Sequence, residues 1–376
     1  ASWPPRSPPM RLNKLSLRDF RNYREATVDL DPGVNLIVGD NAQGKTNLLE
    51  AVSYLGSGRS FRAQKNSEMI RFGAEFGEIY GEVHSQDRDQ TLRWLLFPGR
   101  RQIFRNGAKK RTAGELSGVL QTVLFCPEDL GVLRAGASGR RRLADNALCQ
   151  LRPNYDAALA EYGRILEQKS RILKDRVENP ALLEILPEYN ARLCQVGALL
   201  ISYRARFFEA LGKAAKAYHA EFSGGSEKFT LEYQTVSTVK DPFASLSQLE
   251  ADLQAHLDSH RRAELDSGQC LTGPHKDDFL CCLSGIPLKS YGSQGQVRTA
   301  AISLKLAQRE LMERECGETP VLLLDDVLSE LDPGRQDFVL NKIRTGQVFI
   351  TCCEQERFTR LGKSIEIQKG SVVGEK

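Results

Sequence analysis

The pattern of hydrophobic and polar positions divides the chain into a strand-rich beginning, a helical middle and a mixed end. Up to about Arg134, compact apolar runs and alternating positions predict β-strands at 12–18, 34–38, 78–83 and 91–97. Between about Ser138 and His260, apolar residues recur at three- and four-residue steps, which predicts helices. Beyond that stretch, the pattern predicts strands at 278–283, 321–324 and 347–351 and a helix over 297–314.

Two long helices are predicted in the middle stretch, over 155–173 and 189–214. Their apolar positions follow heptad-like seams, which favours an antiparallel helix hairpin, although two ordinary core helices would show the same short pattern. Because strands flank this stretch on both sides, we expect one α/β domain that is split by a helical insertion. The expected boundaries are a leader at 1–9, two halves of the domain at 10–135 and 266–376, and the insertion at 136–265.

Composition and charge exclude several classes of protein. Hydrophobic residues make up 41% of the 376 residues and charged residues 27%, which is an ordinary globular balance. No apolar run approaches the roughly 20 residues that cross a bilayer. The proline-rich segment 1–9 lacks the apolar core of a signal peptide, so we expect the natural start at Met10. The nine cysteines include no C-x-x-C pair, which indicates reduced thiols in a cytoplasmic protein. The net charge of +4 is too small to indicate a polyanionic partner, so any nucleic-acid surface must be local.

A phosphate-binding loop is predicted between the strand at 34–38 and the helix that follows it. The segment Gly39–Thr46 matches the pattern G-x-x-x-x-G-K-[ST] in the strand–loop–helix context that this motif requires. Backbone N–H groups of such a loop surround phosphates, Lys45 meets the terminal phosphates, and Thr46 ligates Mg²⁺. The residues expected to bind the nucleotide are Gly39, Asp40, Asn41, Ala42, Gln43, Gly44, Lys45, Thr46 and Asn47.

Two adjacent carboxylates are placed to complete this site. Asp325 and Asp326 follow the apolar run 321–324, which is typical of a strand buried on both faces. At the carboxyl end of that strand, Asp325 can hold Mg²⁺ or its water, and Asp326 can then polarise the attacking water. Without the phosphate-binding loop, the same pair would be interpreted as two solvated carboxylates at a strand end.

A third segment, Ser290–Gln296, places serine and glycine before the predicted helix over 297–314. Such a turn is often only a helix cap. It can also be a second phosphate-binding helix terminus, and one chain has little room for two such termini around one γ-phosphate. The order of the motifs therefore suggests that this terminus serves the nucleotide of a partner subunit.

The order of these motifs resembles the ATPase heads of the SMC-like class of ABC-type ATPases. Within that class, the chain is similar to the RecF family of bacterial recombination-repair proteins over nearly its whole length after Met10. The segments that carry the likeness are Leu17–Tyr23, Phe125–Leu130, Gly139–Asp145, Thr272–Asp278 and Tyr291–Gln296. The resemblance implies an ABC-type α/β head, with a mixed β-sheet, flanking helices and a helical second lobe.

The resemblance also implies roles for individual residues. Asp325 would be the magnesium aspartate, Asp326 would stand at the catalytic carboxylate position, and Arg21 would reach the phosphates. The signature turn would consist of Ser293, Gln294, Gly295 and Gln296. Of these, Ser293 and Gly295 would touch the γ-phosphate bound to the opposite subunit, and Asp332 would lie in a loop at the dimer interface.

The function implied by the resemblance is ATP-gated DNA binding in recombinational repair, replication-fork maintenance and the SOS response. ATP with Mg²⁺ would close a homodimer on single-stranded, gapped or junction DNA without sequence specificity, and DNA would stimulate slow hydrolysis. The expected protein partners are the recombination mediators RecR and RecO. The alternatives are an ATPase subunit of a membrane transporter, a short structural SMC-like protein and a small-molecule kinase. The signature turn argues against the kinase, and the missing long coiled coil argues against the structural protein.

Three positions depart from the wider ABC pattern. Asp326 stands where many ABC-type ATPases carry glutamate, Cys352 stands where a switch histidine is expected, and Glu128 is a weak candidate for the Q-loop glutamine. All three favour slow hydrolysis. His275, in the segment Thr272–Asp278, is expected to be structural or interfacial, with a catalytic role as the alternative.

Candidate DNA contacts come from short basic clusters. Phosphate contacts of this kind would be sensitive to salt and independent of sequence. Each cluster is also typical of an ordinary solvated face. The candidate residues are Arg140, Arg141, Arg142, Lys109 and Lys110.

Overall fold

The computed structural model describes residues 9–353 and 361–375, and these form two compact units. The first unit consists of the described residues up to Leu130 and from Ala301 onward, and the second of Gly131–Ala300. The second unit therefore ends further along the chain than the predicted boundary at 265. Of the predicted leader at 1–9, only Pro9 lies within the described residues. In the described part of the chain, no helix is both long and apolar enough to cross a membrane.

An antiparallel sheet of six strands forms one layer of the first unit. Its strands are β1 (Arg11–Phe20), β2 (Tyr23–Asp29), β4 (Gly77–Ser85), β5 (Arg88–Phe97), β6 (Arg100–Arg105) and β7 (Ala108–Lys110). They lie in the order β2-β1-β4-β5-β6-β7. Every second residue of β4 is buried, because one face of the sheet packs on the core while the other is more exposed.

A second six-stranded sheet in the first unit carries the strands that precede the candidate chemistry. It consists of β3 (Val34–Val38), β8 (Thr122–Phe125), β12 (Val321–Leu324), β13 (Val348–Cys352), β14 (Lys363–Gln368) and β15 (Ser371–Glu375). The order is β15-β14-β3-β13-β12-β8, and all neighbours are parallel except β14 and β15. Because β13 lies between β3 and β12, the carboxyl ends of these three strands meet at one edge of the sheet.

One hydrophobic core joins the two sheets of the first unit through helix α1 (Lys45–Ser57). This helix contacts strands of both sheets, and its Leu48, Val52 and Leu55 are fully buried. The other helical segments of this unit are α2 (Pro127–Leu130), α9 (Pro333–Lys342), the part of α8 (Gln294–Cys316) from Ala301 onward, and 3₁₀ turns at Asn66–Glu68, Ala113–Leu116 and Val327–Glu330.

The second unit is built on long helices. They are α3 (Ala137–Leu151), α4 (Pro153–Asp175), α5 (Leu186–Ser223) and α6 (Leu246–Ser267), with the short α7 (Leu288–Tyr291), the start of α8 and a 3₁₀ turn at Pro180–Glu184. Tyr155, at the start of α4, bonds to Arg204 in the middle of α5, while Glu161, further along α4, pairs with Arg192, nearer the start of α5. The two helices are therefore antiparallel, as the hairpin prediction required.

A small antiparallel sheet explains why the second unit extends to Ala300. Its strands are β9 (Phe229–Gln234), β10 (Asp278–Leu283) and β11 (Ile286–Pro287), with β10 in the centre. The strand predicted at 278–283 is present with the same bounds. Its neighbour β9 was not predicted, and the pairing of Phe279 with Tyr233 attaches β10 to the helical lobe rather than to the head.

Candidate nucleotide-binding site

The predicted phosphate-binding loop lies in the expected context, between the end of β3 and the start of α1. The Lys45 side chain is turned into the loop and its residue is only 4% exposed. Its Nζ donates hydrogen bonds to the carbonyl oxygens of Gly39 at 2.6 Å and Asp40 at 3.0 Å. The ammonium group is therefore held against the loop that would surround the phosphates.

The turn between β1 and β2 braces this loop. The Asn22 side chain donates to the carbonyl of Gln43 at 2.9 Å and accepts from Asn47 at 2.8 Å, while the Tyr23 hydroxyl donates to the carbonyl of Gly44 at 2.9 Å. Gly44 has a φ of 122°, and a Cβ there would lie 2.8 Å from the Asn22 amide. A glycine is required at this position both by its conformation and by this close approach. Sequence reasoning missed the brace, because it joins segments that are about 20 residues apart.

Asp325 lies beside the first turn of α1, as a metal-binding carboxylate at this site must. Its Oδ1 accepts hydrogen bonds from the hydroxyls of Thr46 at 2.9 Å and Thr351 at 3.0 Å, and the residue is 6% exposed. Burial raises the pKa of Asp325, and the two hydroxyl hydrogen bonds act in the opposite direction. Thr46, at the start of α1, and Asp325, at the end of β12, are the two residues predicted to hold Mg²⁺, and they are in direct contact.

Asp326 takes a different orientation from its neighbour. Its φ is 50°, in the left-handed region, and its backbone N–H donates to the Thr351 hydroxyl at 2.7 Å. The same hydroxyl donates to Asp325, so one threonine at the end of β13 fixes both aspartates. Sequence reasoning did not single out Thr351; a hydroxyl at the end of the central strand was the available signal.

The end of β13 contributes a cysteine to the site, next to the position where a switch histidine is expected. Cys352 is buried within β13, whereas the exposed Cys353 has its Sγ 3.2 Å from Lys45 Nζ. The Cys353 thiol also lies 3.1 Å from Oδ1 of Asn41. Among the described residues at this strand end, Cys353 is therefore the one that reaches the phosphate-binding loop.

Arg21 is held beside α1 by an ion pair. Its guanidinium binds both carboxylate oxygens of the fully buried Glu50, at 2.7 and 2.8 Å, and also donates to the carbonyl of Glu68. These contacts give Arg21 a bracing role between the β1–β2 turn and the helix of the phosphate-binding loop. The contact with phosphates stays a prediction.

The signature turn caps α8. Ser293 Oγ accepts from the N–H of Gln296 at 3.2 Å, and the Gln296 side-chain oxygen accepts from the N–H of Ser293 at 2.9 Å. This reciprocal pair is a capping box. Ser293 and Gln294 are exposed, while Gly295 and Gln296 are half-buried, so the helix N-terminus and its positive dipole are presented at the surface of the second unit.

Asp332 caps a second helix. Its Oδ1 accepts from the N–H of Arg335 at 3.1 Å at the start of α9, and its carboxylate also pairs with the Arg335 side chain. These contacts with Arg335 lower the pKa of Asp332, so the carboxylate is ionised at neutral pH. Its place at a dimer interface stays a prediction.

The predicted DNA contact is wrong for Arg140. Its residue is 1% exposed, and its guanidinium binds both carboxylate oxygens of Asp278 at 2.6 Å. Arg141 is half-buried and donates to the carbonyl of Asp277 at 2.6 Å, whereas Arg142 is exposed. Successive helical residues point about 100° apart, so three consecutive arginines cannot share one face.

The other basic candidates lie on the edge strand β7, in the first unit. Lys109 is exposed and Lys110 is half-buried there. An edge strand commonly carries lysines, which discourage pairing with other chains. A DNA contact for either lysine stays a prediction.

His275 makes structural contacts. Its Nδ1 lies 2.7 Å from the Tyr162 hydroxyl, and its Nε2 lies 3.1 Å from the carbonyl of Cys270. Because a carbonyl can only accept, Nε2 carries the proton and Nδ1 accepts from Tyr162. Burial lowers the pKa of His275 to about 4, so the ring is neutral at pH 7. Gly273, with a φ of 122°, leaves room for the Tyr162 hydroxyl, which would lie 2.2 Å from a Cβ.

The oxygen donors present fit Mg²⁺. No group of three or more His, Cys, Asp or Glu side chains that could hold a metal occurs among the described residues. Magnesium differs from zinc in that it keeps several waters and needs only one or two protein oxygens beside substrate phosphates. The hydroxyl of Thr46 and the carboxylate of Asp325, 2.9 Å apart, are such a pair.

Comparison with known proteins defines the class to which this fold and site belong. The chain belongs to the family described as the RecF/RecN/SMC N-terminal domain, which matches residues 11–372. The Smc head domain of Pyrococcus furiosus has a TM-score of 0.55 at 17% identity, over 98% of this chain and 96% of the other, and so shares the fold. The architecture is that of an SMC-type ATPase head.

Within this class, the likeness to RecF proteins is much stronger. "DNA replication and repair protein RecF" of Agathobacter rectalis is 37% identical over 96% of this chain and 99% of its own length. The protein of the same description from Acetivibrio thermocellus is 36% identical over 93% and 95%. A solved structure of the recombination mediator protein RecF, named RecF-ATPrS, has a TM-score of 0.90 at 34% identity over 98% of both chains.

Proposed function

We propose that this chain is an ATP-dependent DNA-binding protein of recombinational repair that hydrolyses ATP slowly and uses it as a switch. The observation that carries the proposal is the hydrogen bond of 2.9 Å between Thr46 and Asp325. It joins the start of α1 to the end of β12, the two places where a P-loop ATPase needs its magnesium ligands. The names of the relatives, which refer to ATP, DNA repair and recombination, support the same function.

The residues of the first unit divide the chemistry among them. Lys45 places its charge where the β- and γ-phosphates would lie, and the backbone N–H groups of the loop surround the same phosphates. Thr46 and Asp325 would hold Mg²⁺, which when bound neutralises charge on the phosphate oxygens. Asp326 orients the attacking water. Its side chain is one methylene shorter than glutamate, so it holds that water less well, which suits slow hydrolysis.

The second unit would complete the site of a partner subunit. Ser293 and the Gly295 amide, at the N-terminus of α8, are suited to bind the γ-phosphate of ATP held by the other copy, and Asp332 would lie at the interface. ATP would then hold two heads together, and ADP, which lacks the γ-phosphate, would release them. Whether the dimer forms would then depend on whether ATP or ADP is bound.

DNA would be held by the ATP-bound dimer. Binding to phosphates without base reading requires exposed cations, and among the earlier candidates Arg142 and Lys109 are the exposed ones. The pathway named for the related RecF structure favours RecR and RecO as protein partners in the cytoplasm. A transporter subunit is disfavoured because relatives named for DNA repair match over nearly the whole chain.

The test measures assembly and DNA binding under each nucleotide. Sedimentation velocity with ATP, with ADP and without nucleotide should give dimers only with ATP. Fluorescence anisotropy with single-stranded and gapped DNA should show the tighter binding in ATP, and the coupling requires DNA to tighten ATP binding by the same factor. The ATPase rate should rise with protein and DNA concentration. A chain that stays monomeric in ATP while hydrolysing it at full rate on DNA would refute the composite site.

A further inference from the structure

The side-chain amide of Gln296 is engaged at both ends. Its oxygen accepts from the Ser293 N–H at 2.9 Å, as part of the cap of α8. Its nitrogen donates to Oε1 of Glu227 at 2.7 Å. Because a carboxylate can only accept, this contact fixes which end of the amide faces Ser293. The signature turn is therefore held from the loop between α5 and β9, where Glu227 lies.

Glu227 is in turn held by a buried histidine. Its Oε2 lies 2.9 Å from Nε2 of His219, a fully buried residue of α5, whose ring lies 5.4 Å from that of Phe229. The ionised carboxylate has no proton to give, so Nε2 of His219 donates. The hydrogen bonds from Gln296 and His219 lower the pKa of Glu227, which keeps it an acceptor for both.

The cap also determines which group of Ser293 remains for a ligand. The serine N–H is taken by the Gln296 oxygen, and Oγ accepts the Gln296 N–H at 3.2 Å. The hydroxyl proton is then the donor that Ser293 can direct outward, from an exposed position at a helix N-terminus. If the Gln296 side chain were free to rotate, the Ser293 N–H would lose its acceptor, while Oγ would still accept from the backbone N–H of Gln296.

We propose that Glu227 is a positioning residue for the signature turn: it orients Gln296, whose side-chain oxygen holds the Ser293 N–H, and so keeps Ser293 in place to direct its hydroxyl at the γ-phosphate bound to the partner subunit. The inference rests on the proposed function, since it assumes that the turn completes the ATP site of a second copy. Glu227 itself touches no nucleotide in this arrangement. It acts through Gln296, and His219 holds it in place.

The experiment measures ATP-dependent dimerisation by sedimentation equilibrium for the wild type, Glu227→Ala and Glu227→Gln. Loss of a helix-cap contact typically changes an equilibrium constant about fivefold, and each dimer contains two signature turns, so Glu227→Ala should dimerise about 25-fold more weakly. Glu227→Gln keeps an oxygen that can accept from Gln296 and should fall between alanine and wild type. If the alanine variant does not fold, Glu227→Gln still tests the proposal. Glu232→Gln, an exposed carboxylate on β9 of the same unit, is the matched control.

Two further measurements separate positioning from a general structural role. ATP affinity of the monomer should match the wild type in both Glu227 variants. The thermal unfolding midpoint should fall in Glu227→Ala, because buried His219 loses its partner, so dimerisation is compared at a temperature where all variants are folded. In a Gln296→Ala background, Glu227→Ala should cause no further loss of dimerisation, because its effect passes through Gln296. Wild-type dimerisation of Glu227→Ala, or a loss that persists undiminished in the Gln296→Ala background, would overturn the inference. A wild type that fails to dimerise with ATP would instead overturn the proposed function.

Discussion

The nucleotide site of the first unit and the signature turn of the second are held in different ways. Lys45 and Asp325 are more than nine-tenths buried, and each makes at least two hydrogen bonds to neighbouring carbonyls or hydroxyls. Ser293 is exposed, and its N–H is held by the side chain of Gln296, which in turn donates to Glu227. The first site is arranged to enclose a ligand within one subunit, whereas the turn offers a helix terminus to a ligand from outside.

Because of this difference, nucleotide binding by each subunit can be tested separately from the association of two subunits. Substitutions in the first site should change nucleotide binding or hydrolysis by each subunit. Substitutions in the signature turn should leave that binding intact and change only association. The comparison fails if signature-turn variants change the ATP affinity of the monomer, because the two sites would then not be independent in the monomer.

The largest effect is expected from Lys45→Met. The lysine is the cation of the loop that faces the β/γ-phosphates, so its loss should abolish productive ATP binding. Equilibrium dialysis measures the affinity, and Lys109→Met, an exposed lysine on β7, provides the control. If Lys45→Met bound nucleotide as tightly as the wild type, the segment Gly39–Thr46 would not be the ATP-binding loop.

The second variant, Ser293→Arg, tests the other side of the comparison. A long side chain at this exposed position would occupy the space of the partner's γ-phosphate, so ATP should no longer produce dimers. The ATP affinity of the monomer should stay at the wild-type value. Sedimentation velocity and dialysis measure the two properties, with Ser267→Arg at the exposed end of α6 as control. Dimers of normal stability in Ser293→Arg would place the γ-phosphate contact elsewhere.

The adjacent aspartates sharpen the picture within the first site. Asp326→Asn should still bind ATP but hydrolyse it about 10²–10⁴-fold more slowly, because it removes the group that polarises water. Asp325→Asn should in addition weaken the Mg²⁺ dependence, because this carboxylate contacts Thr46. Steady-state rates over a magnesium titration distinguish them. Wild-type turnover in purified Asp326→Asn would exclude its catalytic role.

A smaller effect, on stability rather than activity, is expected for Arg140→Ala. Removing the buried member of this bidentate pair takes two charged hydrogen bonds from the half-buried Asp278, which Lys289 still reaches at 4.0 Å, and should cost about 2 kcal/mol of unfolding free energy. Arg142→Ala, two residues along the same helix and exposed, should change stability by no more than about 0.5 kcal/mol. Urea denaturation measures both. Equal stabilities would mean that the ion pair with Asp278 contributes nothing in solution.

The features that could be predicted from the sequence are those with local signals. The loop Gly39–Thr46 and the strands at 34–38 and 321–324 combine a short motif with continuous hydrophobicity, and the structure has both strands with these bounds. The two long helices could also be predicted, because the periodicity of their apolar residues extends over many turns. Asp325 followed from the chemistry that a phosphate-binding loop requires.

The features that were missed depend on contacts between distant segments. Arg140 looks like part of a basic surface until its helix is packed with Asp278, 138 residues later. Strand β9 carries no strong pattern of its own and is stabilised by pairing with β10. Thr351 and Asn22 acquire their roles only when three strand ends and a turn converge on one loop. Sequence patterns report which face of an element is buried, but not which partner covers it.

The smallest effect expected is that of Tyr23→Phe, which tests whether the β1–β2 turn contributes to ATP binding. The substitution keeps the buried ring and removes only the hydroxyl that donates to the carbonyl of Gly44 at 2.9 Å. A lost hydrogen bond of this kind costs about 1 kcal/mol, so ATP should bind about fivefold more weakly if the brace keeps the loop in its phosphate-binding shape. Isothermal titration calorimetry measures the affinity, and Tyr80→Phe on β4, whose hydroxyl faces Glu82, is the matched control. If Tyr23→Phe lowers the unfolding midpoint but binds ATP as the wild type does, the brace stabilises the fold and leaves the geometry of the loop unchanged.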